Sequence, residues 1–114
     1  MAERWRVVVG FPDYVVSDLG RIYSNKSKKF LKVRPSTNGY AKVNLYSAPY
    51  KYRTRNVHNL VMEAFIGLPV KTNPDDFMVI DHINDNKMDC RLANLRYITQ
   101  SENITKAWQR KKAA

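Results

Sequence analysis

The sequence predicts an α+β fold, on three observations. Residues 1–56 hold short β-branched and aromatic runs broken by turn signals, the pattern of an antiparallel ribbon or sheet. From Val57 the apolar residues take a helical period instead. Beyond residue 77, two short apolar strands flank a long polar loop and lead into a capped helix.

In the first half, Tyr14-Val15-Val16 leads into Ser17-Asp18-Leu19-Gly20, a turn closed by glycine, and out through Arg21-Ile22-Tyr23. Phe30 to Arg34 reads as a further strand, ended by Pro35. Asn38-Gly39 is a hairpin signal. After it the chain alternates, with Ala41, Val43 and Leu45 on one face and Lys42, Asn44 and Tyr46 on the other. Ser47-Ala48-Pro49-Tyr50 turns into a return strand, Tyr52 to Val57, whose Arg53 and Arg55 share a face. The expectation is a two-stranded ribbon with one apolar face and one basic, tyrosine-bearing face, suited to a nucleic-acid groove.

Val57, Leu60, Val61, Ala64 and Phe65 then mark an amphipathic linking helix, stopped by Gly67 and Pro69. Val70 to Phe77 reads as a loop with a turn at Asn73-Pro74-Asp75-Asp76. Met78-Val79-Ile80 is a strand running into Asp81-His82. Ile83 to Asn94 is polar, with a turn at Asn84-Asp85-Asn86, and Leu95 to Ile98 is the second strand. Thr99 and Glu102 match a capping box. Ile104, Ala107, Trp108 and Lys111 continue at helical spacing, which predicts Trp108 in the core. Arg110-Lys111-Lys112 suit a helix C-terminus.

Composition bounds the function. The chain has 114 residues, 44% hydrophobic and 26% charged, an ordinary globular balance. No apolar run approaches the ~20 residues that span a bilayer, and the start has no basic-then-apolar leader pattern. The expectation is therefore no membrane partner. The single cysteine, Cys90, excludes an internal disulfide framework and a four-cysteine zinc knuckle. A reducing cytoplasm fits. The net charge is +10, and it is unevenly placed. Residues 1–60 hold 12 Lys/Arg and 3 Asp/Glu, whereas residues 61–114 hold 8 and 7. That is the distribution of a polyanion-binding half joined to a half whose acids can serve a metal.

Asp81 and His82 are the candidate chemistry. Neighbours on an extended chain point to opposite sides, so they can do different work. A carboxylate is a hard ligand for Mg²⁺ or Mn²⁺, and a neutral imidazole can take a proton from water. Phosphodiester hydrolysis needs both. Asn103 lies in the first turns of the Thr99-capped helix, where its amide oxygen could complete a metal site.

These residues carry a resemblance. Val57-His58-Asn59-Leu60-Val61, Ile80-Asp81-His82-Ile83-Asn84-Asp85-Asn86-Lys87, Arg91-Leu92-Ala93-Asn94-Leu95-Arg96 and Thr99 to Asn103 resemble the HNH endonucleases of phage introns and free-standing homing genes. Trp5, Gly10-Phe11 and Tyr14 to Ser24 resemble the NUMOD-type DNA-binding motif that often precedes that nuclease. The resemblance implies a β-rich DNA-binding module over 1–56 and a ββα-metal nuclease module over 57–114. It implies one divalent ion, Mg²⁺ or Mn²⁺, on Asp81 and Asn103. It further implies His82 as general base and Asn94 as the central asparagine that holds the long loop and the histidine. The usual Gly of the loop is absent from Asn84-Asp85-Asn86, but Asn and Asp tolerate the left-handed backbone such a turn needs.

The expected partner is double-stranded DNA, gripped through Arg21, Lys32, Arg34, Lys42, Arg53, Arg55 and Arg96. No small-molecule cofactor is expected, and a monomer or weak dimer fits. If the chain is phage-encoded, its place is the cytoplasm of a bacterial host. Other residues read as packing: His58, Tyr14, Tyr23 and Tyr40, with Cys90 inert. The alternative function is a DNA-binding regulator whose nuclease site has decayed, and the retained Asp81, His82, Asn94 and Asn103 count against it.

Overall fold

The computed structural model describes residues 2–69 and 77–113. The turn expected at Asn73–Asp76 lies outside them, as do the side chains of Arg110 and Lys112. Strands β1 (Trp5–Val8), β2 (Phe11–Ser17), β3 (Ile22–Ser24) and β4 (Lys29–Phe30) form one antiparallel sheet in chain order. The turn between β2 and β3 closes where the sequence places it. Gly20 takes a φ of +82° and donates its N–H to the Ser17 carbonyl at 3.0 Å. The buried Ser17 hydroxyl accepts from the N–H groups of Leu19 and Arg21, tying both arms of the turn.

Strands β5 (Arg34–Pro35), β6 (Ala41–Ala48) and β7 (Lys51–Asn56) form a second antiparallel sheet. The strand expected over Phe30–Arg34 is therefore split between two sheets. Lys28, at a φ of +55°, makes a tight turn that leaves β4 two residues long. Leu31 and Val33 then cross between the sheets, half-buried against the core.

Ala41, Val43 and Leu45 are buried, as their alternation predicts. The return strand corrects the expected basic face. Arg55 lies opposite Val43 and Arg53 opposite Leu45, and residues directly opposite in an antiparallel pair share a face. Both arginines stand on the apolar side. The other face carries Lys42, Asn44 and Tyr46 against Asn56, Thr54 and Tyr52. Alternation alone shows that two residues share a face; the hairpin register, shifted by an irregularity between Tyr46 and Ala48, decides which face. Arg55 is satisfied there by Glu63, 2.7 Å away.

Helix α1 (Val57–Phe65) buries Val57, His58, Leu60, Val61 and Met62. Its Val57, Leu60, Val61 and Met62 join Val8, Val16, Ile22, Val43, Leu45, Cys90 and Leu95 in one core. Strands β8 (Met78–His82) and β9 (Leu95–Thr99) pair antiparallel, with a 3-10 turn (Leu92–Asn94) before β9, and helix α2 (Gln100–Ala113) follows. The capping box forms: the Thr99 hydroxyl accepts from Glu102 N–H at 3.1 Å, and the Glu102 carboxylate accepts from Thr99 N–H at 3.1 Å. The expectation of Trp108 in the core is overturned. Trp108 is 61% and Ile104 49% exposed. The inward face of α2 is the one carrying Asn103 and Lys106, both half-buried; Ile104, Ala107 and Trp108 fall on the neighbouring face. Among the described residues no helix is long and apolar enough to cross a membrane.

Candidate active site

Asp81 and His82 close β8, only 6% and 5% exposed. Their side chains diverge as the strand demands. Asp81 meets α2, where Lys106 Nζ donates to its Oδ1 at 2.8 Å and Oδ2 at 3.1 Å. Arg96, directly opposite on β9, donates from Nε to Oδ2 at 2.9 Å. Burial pushes the carboxyl pKa up, but hydrogen bonds from Lys106 and Arg96 outweigh it and hold the group below its ordinary range. Asp81 is ionised at neutral pH.

His82 meets α1 and the loop. Its ring stands edge-on to His58, and the Tyr40 ring packs against both imidazoles. His82 Nε2 lies 4.0 Å from the buried Cys90 sulfur. Burial lowers the His82 pKa against the pull of Asp81 and Asp89, so the ring is neutral at pH 7. Burial, helped by the proximity of His82, pushes His58 down to about 4. Burial likewise pushes the Cys90 thiol up to about 12, leaving it an inert neighbour.

The loop between the strands is stapled by Asn94. Its Oδ1 accepts from Asn84 N–H at 3.0 Å; its Nδ2 donates to Asn84 Oδ1 and to the Asp89 carbonyl, both at 2.9 Å. Asp85 takes a φ of +64° and donates its N–H to the His82 carbonyl at 2.8 Å. The turn therefore forms without glycine, on an aspartate.

Asn103 comes to the same place. It lines a cleft of about 60 Å³ with Tyr40, Asp81, His82, Asp85 and Lys87, room enough for water. The donors suit a divalent ion of the Mg²⁺ or Mn²⁺ kind: a carboxylate and a side-chain amide, both hard oxygens. No cluster of three or more His, Cys, Asp or Glu able to hold a metal occurs among the described residues. Water and phosphate would supply the remaining positions, as Mg²⁺ prefers.

The DNA-binding candidates divide. Lys32, Arg34 and Arg53 are exposed and Lys42 is half-exposed. Arg34 and Lys42 sit opposite each other on β5 and β6. The other three are already engaged: Arg21 with Glu3 and the rings of Trp5 and Phe30, Arg55 with Glu63, Arg96 with Asp81. Sequence reasoning missed Lys106 altogether. Lys106 follows Asn103 by one helical turn and shares its face, but nothing local in the sequence sets that face against Asp81, 25 residues earlier.

Comparison with known proteins adds a second line. The pattern defining the NUMOD4 motif matches residues 3–46, and that defining the family "HNH endonuclease" matches residues 55–104. The chain carries an HNH endonuclease domain behind a NUMOD4 motif. The DNA endonuclease I-HmuI of Bacillus phage SP01 is 34% identical over 101 residues, covering 88% of this chain and 55% of that protein. An uncharacterised HNH endonuclease of Acanthamoeba polyphaga mimivirus, L247, is 31% identical over 108 residues, covering 93% of this chain and 26% of its own length. The solved structure of I-HmuI, which describes DNA binding and cleavage by that HNH homing endonuclease, superposes with a TM-score of 0.81 at 32% identity, over 95% of this chain and 59% of that one. The α+β architecture is thus the one I-HmuI shares. The chain spans only about a quarter to rather more than half of the length of these relatives. The HNH domain contains Asp81, His82, Asn94 and Asn103. Lys106 lies just beyond its matched span.

Proposed function

We propose that this chain is a metal-dependent DNA endonuclease hydrolysing a phosphodiester bond. The observation that carries the proposal is the pairing of opposites at the end of β8. Asp81 is ionised and His82, its neighbour, is neutral, and both line one small cleft with Asn103. That is a metal ligand and a general base placed side by side. Asp81 and Asn103 would hold one divalent ion, Mg²⁺ or Mn²⁺, which would offset charge on the phosphate and on the departing oxygen.

His82 Nε2 faces Cys90, so Nδ1 is assigned as the nitrogen that takes the proton of water. The hydroxide oxygen bonds to phosphorus, the bond to the 3′-oxygen breaks, and that oxygen takes a proton from solvent. The products carry 5′-phosphate and 3′-hydroxyl ends. Asn94 positions the loop and, through it, the histidine. Residues 1–56 supply most of the grip on duplex DNA and residues 57–114 the cut. One such site in a monomer nicks one strand. The duplex is met in the cytoplasm of a host cell.

The test is supercoiled plasmid incubated with Mg²⁺, with Mn²⁺ and with chelator, beside His82→Ala. Conversion to nicked or linear form by the wild type alone, in metal alone, is the expected result. Equal inertness of both proteins, with binding retained, would leave the decayed regulator as the answer.

A further inference from the structure

The Lys106 ammonium sits among five oxygens: both carboxylate oxygens of Asp81 at 2.8 and 3.1 Å, Asp85 Oδ1 at 3.0 Å, and the backbone carbonyls of His82 at 3.2 Å and Ile83 at 3.3 Å. An ammonium has three protons to donate. Five acceptors are more than it can serve, and a group of hard oxygens converging on a point is what a small multivalent cation requires. The lysine side chain is only 19% exposed, so this is an ordered contact. It reaches the cage from α2, one turn beyond Asn103 on the same face. Arg96 also bonds Asp81, but from the opposite strand and through one oxygen only.

We propose that Lys106 is the resident counter-cation of the Asp81 site, and that a divalent ion enters by displacing it. The inference rests on the reading that Asp81 binds the metal. An ammonium seated on both carboxylate oxygens fills the position from which a metal ion would contact them, so the ion has to take its place. Lys106 therefore keeps the site charge-balanced and assembled in the metal-free protein, and it lowers metal affinity until DNA phosphate adds negative charge. Once released, the ammonium remains tethered within reach of the same cleft, placed to meet a phosphate oxygen.

The experiment is Mn²⁺ binding to the full chain without DNA, measured by the free-ion electron paramagnetic resonance signal, for wild type, Lys106→Met and Asp81→Asn. The expected result is that Lys106→Met binds Mn²⁺ about tenfold tighter or more than wild type, while Asp81→Asn loses binding. Unchanged or weaker binding by Lys106→Met, with Asp81→Asn still deficient, overturns the role of Lys106 and leaves the metal site standing. Undiminished binding by Asp81→Asn overturns the metal reading, and this inference with it. Should Lys106→Met fail to fold, the wild type decides. On Mg²⁺ titration the Lys106 side-chain ¹³Cε signal should move to the position of a solvated lysine, and a signal that stays fixed at saturation overturns the proposal.

Discussion

The imidazole of His58 stands perpendicular to that of His82, the ring centres 5.0 Å apart and the planes at 87°. The contact joins the start of α1 to the end of β8. His58 is buried, and its Nδ1 has no hydrogen-bond partner among the described residues. Protonating it would bury a charge beside a second histidine.

A pH dependence follows. The folded-state pKa of His58 is about 4 against 6.5 for the free side chain. Between those values the unfolded chain binds a proton that the folded chain refuses, so stability is full above pH 6.5 and falls as pH drops towards 4. The loss from this residue is roughly 3 kcal/mol. Urea denaturation at pH 7 and pH 4.5 checks it: His58→Gln, which does not titrate, should lose distinctly less stability on acidification than wild type.

Asn94→Ala removes three hydrogen bonds from a buried position. Asn84 N–H and the Asp89 carbonyl lose their partner, and the expected cost is about 2–4 kcal/mol. Hydrogen exchange should locate the damage in residues 83–94. Cleavage should fall in the same variant, because the loop leads straight from His82.

Gly20→Ala and Gly39→Ala form a matched pair. Both glycines hold a positive φ, +82° and +83°. A Cβ on Gly20 would stand 3.0 Å from the Cys90 carbonyl oxygen, whereas one on Gly39 meets only the flexible Lys87 side chain at 3.7 Å. Gly39→Ala should cost the strain alone, about 1 kcal/mol, and Gly20→Ala about 2–3 kcal/mol. Thermal melts of the two variants compare them directly.

For the DNA grip, the salt slope separates cations left unpaired among the described residues from engaged ones. Arg34→Ala with Lys42→Ala should flatten the log–log dependence of binding by about 0.9 for each phosphate that the variant no longer neutralises. Arg55→Ala should leave the slope near wild type and reduce stability instead, since Glu63 already holds that guanidinium. A slope that responds to Arg55 and not to the pair would place β7, rather than β5 and β6, along the phosphates.

Local physics explains what could be read beforehand. The capping box at Thr99, the helix from Val57, the glycine turn at Gly20 and the left-handed aspartate in the loop are each set by residues close in sequence. The juxtaposition of Asp81, His82 and Asn103 was legible through motif spacing. Three things were not. The face of Arg53 and Arg55 depends on hairpin register. The exposure of Trp108 depends on which side of α2 meets β8 and β9. Lys106 gains meaning only once tertiary packing places it against Asp81, 25 residues earlier in the chain.

The Ser17–Gly20 turn has a consequence for engineering. Leu92 N–H donates to the Asp18 carbonyl at 2.7 Å, and Gly20 abuts the Cys90 backbone. The half with the basic surplus is thus keyed into the very loop that presents His82. Shuffling the NUMOD4 and HNH segments between relatives, as if they were beads on a string, would unseat that key. A successful chimera has to carry the turn and its receiving loop across together.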